Sequence, residues 1–189
     1  VPAYKVRPFG IPFDPKFIIP HDKQKLRLKL KISPHARTVL IMGGGQGLGP
    51  IKTIVKSLEK SRHLLQEIIV AGTNKRLYNS LKRKTKKCKN KIVLHGYAHN
   101  VDELMDVADL IIPKPGGVTT AEVLAKRIPM LIVKPLPGQE EKNTQYLTER
   151  GAALKIDDPK TIVSIIDELL ENPKSVQSLA DAALRISKP

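Results

Sequence analysis

Six short apolar runs recur along the chain: Arg37-Thr-Val-Leu-Ile-Met42, Glu67-Ile-Ile-Val-Ala-Gly72, Ile92-Val-Leu-His95, Ala108-Asp-Leu-Ile-Ile112, Pro129-Met-Leu-Ile-Val133 and Ala152-Ala-Leu-Lys-Ile156. Each is nearly continuous rather than alternating, the pattern of strands buried on both faces. The stretches between them mix apolar and polar positions. They predict helices over Pro50 to Glu59, Asn74 to Lys87, Val101 to Val107, Thr119 to Lys126, Glu140 to Glu149 and Pro173 to Ile186. A further helix is expected to be capped and started by Asp157-Asp-Pro-Lys-Thr161 and to run to Leu170, with proline suited to its first turn. Gly151 ends the helix before it, a common use of glycine. Strands alternating with helices predict a doubly wound α/β domain built on a parallel sheet.

The first 34 residues break this rhythm and hold six of the fifteen prolines. Phe9-Gly-Ile-Pro-Phe-Asp-Pro-Lys-Phe17 is not helical, because each proline pushes the residue before it into extended geometry. It reads as a linker across a surface. Asp22 to Ile32 reads as a short basic helix with Leu26 and Leu30 on one face. The chain thus divides into 1–34, a linker and basic segment, 35–172, the α/β domain, and 173–189, a closing helix.

Ligands of such sheets bind beyond the carboxyl ends of the strands. Three loops follow strands there. Lys114-Pro-Gly-Gly-Val-Thr-Thr-Ala-Glu122 turns a strand into a helix. Its bare N–H groups and the positive end of a helix dipole suit a phosphate. Glu122, read on the first turn of that helix, can accept from a pair of vicinal hydroxyls. Gly43-Gly-Gly-Gln-Gly-Leu-Gly49 lets a ligand approach the backbone closely. It is neither a dinucleotide fingerprint, because Val70-Ala-Gly-Thr-Asn74 lacks the acid that grips a ribose, nor a Walker loop. His95-Gly-Tyr-Ala-His99 supplies an aromatic, Tyr97, able to stack on a base, while His95 and His99 read as structural or solvent-facing. Pro137-Gly-Gln-Glu-Glu-Lys-Asn143 echoes the Pro-Gly-Gly turn one strand later and offers amides and carboxylates to sugar hydroxyls.

Composition narrows the reading. Hydrophobic residues make up 41% and charged residues 27%, values of a globular protein. No apolar run approaches the ~20 residues of a membrane-spanning helix. Val1 carries neither Met nor a signal pattern, so a fragment or one half of a longer protein is expected. The net charge is +15, which seeks nucleic acid, an anionic membrane or anionic small molecules. Lys82 to Lys91 is the densest basic run. With aromatic content of only 4%, the run favours membrane over nucleic acid. The lone Cys88 has no motif around it. No Asp-X-Asp, CxxC, HExxH or GxSxG occurs, so neither a metal nor a cofactor is called for.

In combination these motifs resemble the carboxy-terminal half of a family 28 glycosyltransferase, over about residues 5 to 187. The strings are Gly43-Gly-Gly-Gln-Gly47, His95-Gly-Tyr97, Ala108 to Glu122, Pro137 to Asn143 and Gly151-Ala-Ala153. The last string but one is most similar to the branch acting on diacylglycerol; the peptidoglycan transferase of N-acetylglucosamine is more distant. The resemblance implies a Rossmann-like domain, the C-terminal half of a GT-B fold. Residues 173–189 would then cross back toward an N-terminal domain that binds the lipid acceptor and carries the general base, leaving no catalytic residue in this chain. It implies a UDP-sugar donor. Tyr97 and Ala98 would meet the uracil, Gly116, Gly117, Val118 and Thr119 the diphosphate, and Glu122 the ribose. Gln139, Glu140 and Asn143 would meet the hexose, while Gly45 and Gln46 would lie near the phosphates or acceptor. Departures are Phe13-Asp14, where relatives often carry Arg, and Gly45, where the peptidoglycan enzyme has Ser. The implied reaction is an inverting hexosyl transfer at the inner, cytoplasmic face of a membrane. The alternatives are transfer to a lipid-linked peptidoglycan precursor, a UDP-N-acetylglucosamine epimerase, or a non-catalytic basic module that binds membrane or nucleic acid.

Overall fold

The central strand β1 (Arg37–Met42) carries five buried residues out of six, which requires cover on both sides. It lies in a six-stranded sheet with β2 (Leu65–Val70), β3 (Lys91–His95), β4 (Leu110–Pro113), β5 (Met130–Val133) and β6 (Ala153–Ile156). The order is β3-β2-β1-β4-β5-β6, and every pairing is parallel. The computed structural model describes residues 2–5, 9–85 and 88–188. The order reverses between β1 and β4, and there a doubly wound sheet opens a crevice.

Successive residues of each strand face opposite layers. Leu40, Ile68, Ile111, Met130 and Ile132 join one cluster, with α4 (Val101–Val107), α5 (Gly117–Lys126) and Leu147 of α6 (Gln139–Glu149). Val39, Ile41, Ile69, Ile112 and Leu131 join the other, under α2 (Ile51–Leu58), α3 (Lys75–Thr85) and α7 (Ile162–Glu171). The last helix, α8 (Pro173–Ile186), sends Leu179 into the second cluster and Ala182 and Ala183 into the first.

Two boundaries differ from expectation for identifiable reasons. α5 begins at Gly117 rather than Thr119, with extended Gly116 as its cap; Glu122 therefore falls on the second turn, not the first. α7 begins only at Ile162, because Asp158 accepts from Lys160 N–H (2.9 Å) and its carbonyl from Thr161 N–H (3.0 Å). That acid closes a turn instead of capping the helix. α3 runs from Lys75 to Thr85; Lys86 and Lys87, also expected in it, lie outside the described residues, as do Val1, residues 6–8 and Pro189 of the flanking segments.

The amino-terminal segment is built into the domain. Asp22 caps α1 (Lys23–Lys29) by accepting from Gln24 and Lys25 N–H. Phe17, Leu26 and Ile32 join the first core cluster. Arg27, 8% exposed, donates to the carbonyls of Ser33, Ala36 and Val107, to Thr38 Oγ1 and to Asp109. That guanidinium bolts α1 to the amino ends of β1 and β4.

Candidate functional site

The carboxyl ends of β1, β2 and β3 open, together with α5, on a cavity of about 310 Å³. Its floor is the Gly-rich loop after β1. Gly47 N–H donates to Gly44 O (3.1 Å) and Leu48 N–H to Gly43 O (2.8 Å). The loop after β2 braces it from outside. Thr73 donates to Gly45 O from both its N–H (2.8 Å) and its hydroxyl (3.0 Å), and Asn74 Nδ2 donates to Gly47 O (3.2 Å). The position where a dinucleotide fold keeps a ribose-binding acid is here a support for the neighbouring turn. Gly72 is required by close approach: a Cβ there would lie 2.3 Å from Gly45 O. At Gly45 and Gly116 the reason is the opposite. A Cβ at either would meet no protein atom within 4 Å, so their lack of a side chain leaves open space beside the backbone.

One wall is α5. Its hydrogen-bond ladder opens with Thr120 N–H donating to Gly116 O (2.9 Å), so the N–H groups of Gly117, Val118 and Thr119 precede the ladder and face out of the helix start. The cap residue is glycine and contributes no side-chain bond. Thr119 and Glu122 line the cavity. Burial pushes the Glu122 carboxyl up to about 7; Lys16 pulls it back and Asp14 pushes it further. Opposite stand Tyr97, 62% exposed, and Ala98. The Tyr97 ring meets His99 edge-on at 5.1 Å between centroids. An exposed aromatic, a carboxylate and, at Thr119, the start of a helix thus border one cavity. These groups match the base, diol and diphosphate of a nucleotide.

The echo motif braces this wall. Glu140 is 8% exposed. One of its oxygens pairs with Lys114 Nζ (2.6 Å) and the other accepts from Leu136 N–H (3.0 Å). Asn143 Nδ2 donates to Pro115 O (2.9 Å). Both partners, Lys114 and Pro115, immediately precede the cap of α5. Gln139 is exposed, and its amide nitrogen lies 3.7 Å from where a Cβ on Gly117 would be.

Residues 38–188 match the glycosyltransferase family 28 C-terminal domain. The chain belongs to this family. A processive diacylglycerol beta-glucosyltransferase of Bacillus licheniformis is 35% identical over 171 residues, 90% of this chain and 44% of that one. Its namesake in Bacillus cereus is 31% identical over 190 residues, the whole of this chain and 49% of that one. The chain therefore spans about half the length of the curated relatives it matches. Among solved structures, Anabaena HepE in complex with UDP-glucose aligns over 92% of this chain and 50% of that one, with a TM-score of 0.72 at 19% identity. The lipopolysaccharide glycosyltransferase WaaG aligns over 93% and 50%, with a TM-score of 0.73 at 18% identity. At such identities the likeness is one of fold, and the Rossmann-like half of a GT-B enzyme is the fold seen here.

In this family 28 domain, five of the residues singled out from the sequence line one cavity: Gly45, Tyr97, Ala98, Thr119 and Glu122. Gly116 and Val118 stand at the start of α5, and Gln46 is exposed on the Gly-rich loop outside the lining. Gly117 and Asn143 line a neighbouring cavity of about 250 Å³ with Ile11, Phe13 and Tyr146. Asp14, Lys16 and Phe17 also line the main cavity, and sequence reasoning passed over them inside the presumed linker. Their signal was Asp14-Pro15: Asp14 caps a short 3₁₀ turn by accepting from Lys16 N–H (3.0 Å). Lys16 Nζ then reaches His99 O (3.2 Å), tying the segment to the Tyr97 loop. His99 likewise lines the cavity, at a position read as structural or solvent-facing.

Proposed function

We propose that this chain is the donor-binding half of an inverting hexosyltransferase, taking a UDP-hexose as donor and serving a diacylglycerol-type lipid acceptor bound by another domain. The observation that carries the reading is the glycine-capped start of α5, which reaches at Thr119 the cavity shared by Glu122 and Tyr97 at the switch point of the sheet. Tyr97 and Ala98 would take the uracil, Glu122 the ribose hydroxyls, and the N–H groups of Gly117 to Thr119 the diphosphate. Gln139 would reach the hexose. Support for the acceptor class comes from the Bacillus relatives, named as processive diacylglycerol beta-glucosyltransferases, and support for the donor from HepE, solved with UDP-glucose.

In the proposed reaction the acceptor hydroxyl attacks the anomeric carbon of an α-linked donor. The bond to the diphosphate breaks with inversion, and UDP departs as an anion. This half contributes positioning and stabilisation of the leaving diphosphate by oriented N–H groups; the base that takes the acceptor proton belongs to the other domain. Catalysis would occur at the inner face of a membrane, with the protein held peripherally. Among the described residues no helix is long and apolar enough to cross one.

Calorimetry of UDP, UDP-glucose, UDP-galactose and UDP-N-acetylglucosamine against the chain tests the donor. UDP is expected to bind, and Glu122→Ala to weaken it at least tenfold, because a site built for two hydroxyls loses their acceptor. In the variant, UDP and its 2′,3′-dideoxy analogue should bind alike. Unchanged UDP affinity in Glu122→Ala would refute the ribose assignment.

A further inference from the structure

Charge is segregated in this molecule. Residues 51–91 hold thirteen Lys and Arg against only Glu59 and Glu67, and so carry eleven of the fifteen net positive charges. Residues 92–189 hold fourteen acids against eleven Lys and Arg. The basic stretch folds into α2, β2 and α3 and the turns that join them to the sheet. Both helices cover the same face, with Ile54 and Leu58 of α2 and Leu77 and Leu81 of α3 turned into one cluster. The opposite sides of these helices are basic. Lys52 and Lys56 are one turn apart on α2; Lys75 and Lys82, like Arg76 and Arg83, are two turns apart on α3. All six are exposed.

Other cations enter internal pairs, Arg62 of the basic stretch with Asp167 and Glu171 among them. Lys16, Lys29 and Lys126 pair with Asp102, Glu103 and Asp106 of α4, and Lys23 and Arg27 with Asp109. Among the described residues, none of the six cations on α2 and α3 enters an ion pair. They hold no fold element together, and as like charges on one face they repel each other, so the face calls for an anionic partner outside the molecule.

We propose that the outer face of α2 and α3 docks on a bilayer surface of anionic phospholipid headgroups. Two observations select lipid over nucleic acid. The face offers no stacking platform: Tyr78, the sole aromatic of residues 51–91, is half-buried against the core. Its charges are mostly lysines, point charges suited to a diffuse array of headgroups rather than to forked contacts with single phosphates. The choice of membrane also rests on the lipid-acceptor reading above. Lys52 and Arg76, at the amino ends of the two helices, line one groove at the crest of the sheet. The nucleotide cavity opens from that same crest but takes its helical wall from α5 in the other layer, so docking leaves it open to donor.

Co-sedimentation of the 189-residue chain with vesicles tests this. We expect binding to phosphatidylcholine vesicles containing about a third phosphatidylglycerol, none to pure phosphatidylcholine, and release by high salt. Each basic residue near such a surface contributes roughly fivefold. The triple variant K56E/K82E/R83E should therefore lose at least tenfold in partitioning. The control K142E/K160E/K174E changes net charge equally from exposed positions elsewhere and should lose far less. UDP affinity should be unaltered in both triples, which separates failure of this inference from misfolding and from failure of the nucleotide reading. No binding to anionic vesicles, or equal losses in the two triples, would overturn the proposal. So would tighter binding to a single-stranded oligonucleotide than to the vesicles.

Discussion

Two carboxyls define what single residues contribute. Glu67 is fully buried in β2, accepts from Asn90 Nδ2 (3.0 Å) and leaves its second oxygen without a partner. Burial pushes it up to about 7, against the pull of that hydrogen bond. A carboxyl whose folded value lies above its unfolded one holds its proton more tightly in the native state. It contributes stability fully at acid pH, and that contribution is lost as pH rises from about 4.5 through about 7. Urea unfolding across pH 5 to 8 should show that decline. Glu67→Gln should remove most of it and raise stability above pH 7 by on the order of 1 kcal/mol, the unpartnered amide offsetting part of the gain. Glu122 is raised for the same reason, and in the proposed donor site it would accept from the two ribose hydroxyls. To accept from two hydroxyls it must be ionised, so binding of a UDP-sugar, whose diphosphate does not titrate near neutrality, should tighten as pH rises through about 7. Glu122→Gln should flatten that profile in calorimetry between pH 6 and 8.

Between residues and whole molecule, the informative unit is the pair of turns that open α5 and α6. The sequence shows both as Pro-Gly motifs followed by polar residues, and the family resemblance implies that Gln139, Glu140 and Asn143 of the second meet the hexose. In the fold they divide the labour. Glu140 pairs with Lys114 and Asn143 holds Pro115 O, so both fix the turn that opens α5, while Gln139 stays exposed. Glu140→Ala should therefore weaken UDP several-fold, since Lys114 and Leu136 N–H lose their acceptor. Gln139→Ala should leave UDP affinity intact and erase any preference of UDP-glucose over UDP. Titrating both ligands against both variants separates the roles. Strands and most helices were legible because a parallel sheet writes its burial as continuous apolar runs. The brace was not, because an exposed amide and a buried ion pair look alike as letters. The amino-terminal segment was misjudged for a related reason. Its prolines announce extended chain, yet Phe17, Leu26 and the bonding of Arg27 make it part of the core. Arg27→Ala should cost about 3 kcal/mol in denaturant unfolding, the usual penalty for breaking a buried charged network.

Over the whole molecule, the fold is that of the Rossmann-like half of a GT-B enzyme. The isolated chain is expected to bind UDP and to transfer no sugar, because the proposed reaction takes its base from the other domain; steady release of UDP from UDP-glucose with lipid acceptor present would contradict this. The charge map adds an orientation, with the unpaired basic faces of α2 and α3 on one side of the sheet and the ion-paired α4 on the other. The amino-terminal segment and the tail of α8 also meet in space: a Cβ on Gly10 would lie 3.1 Å from Lys188 Cβ. A domain whose two ends touch behaves as a cassette. It can be spliced into a surface loop of a host without stretching either partner, and any chain that enters at residue 10 and leaves at residue 188 does so through a single narrow neck. Motion about such a neck would be rotation about a point.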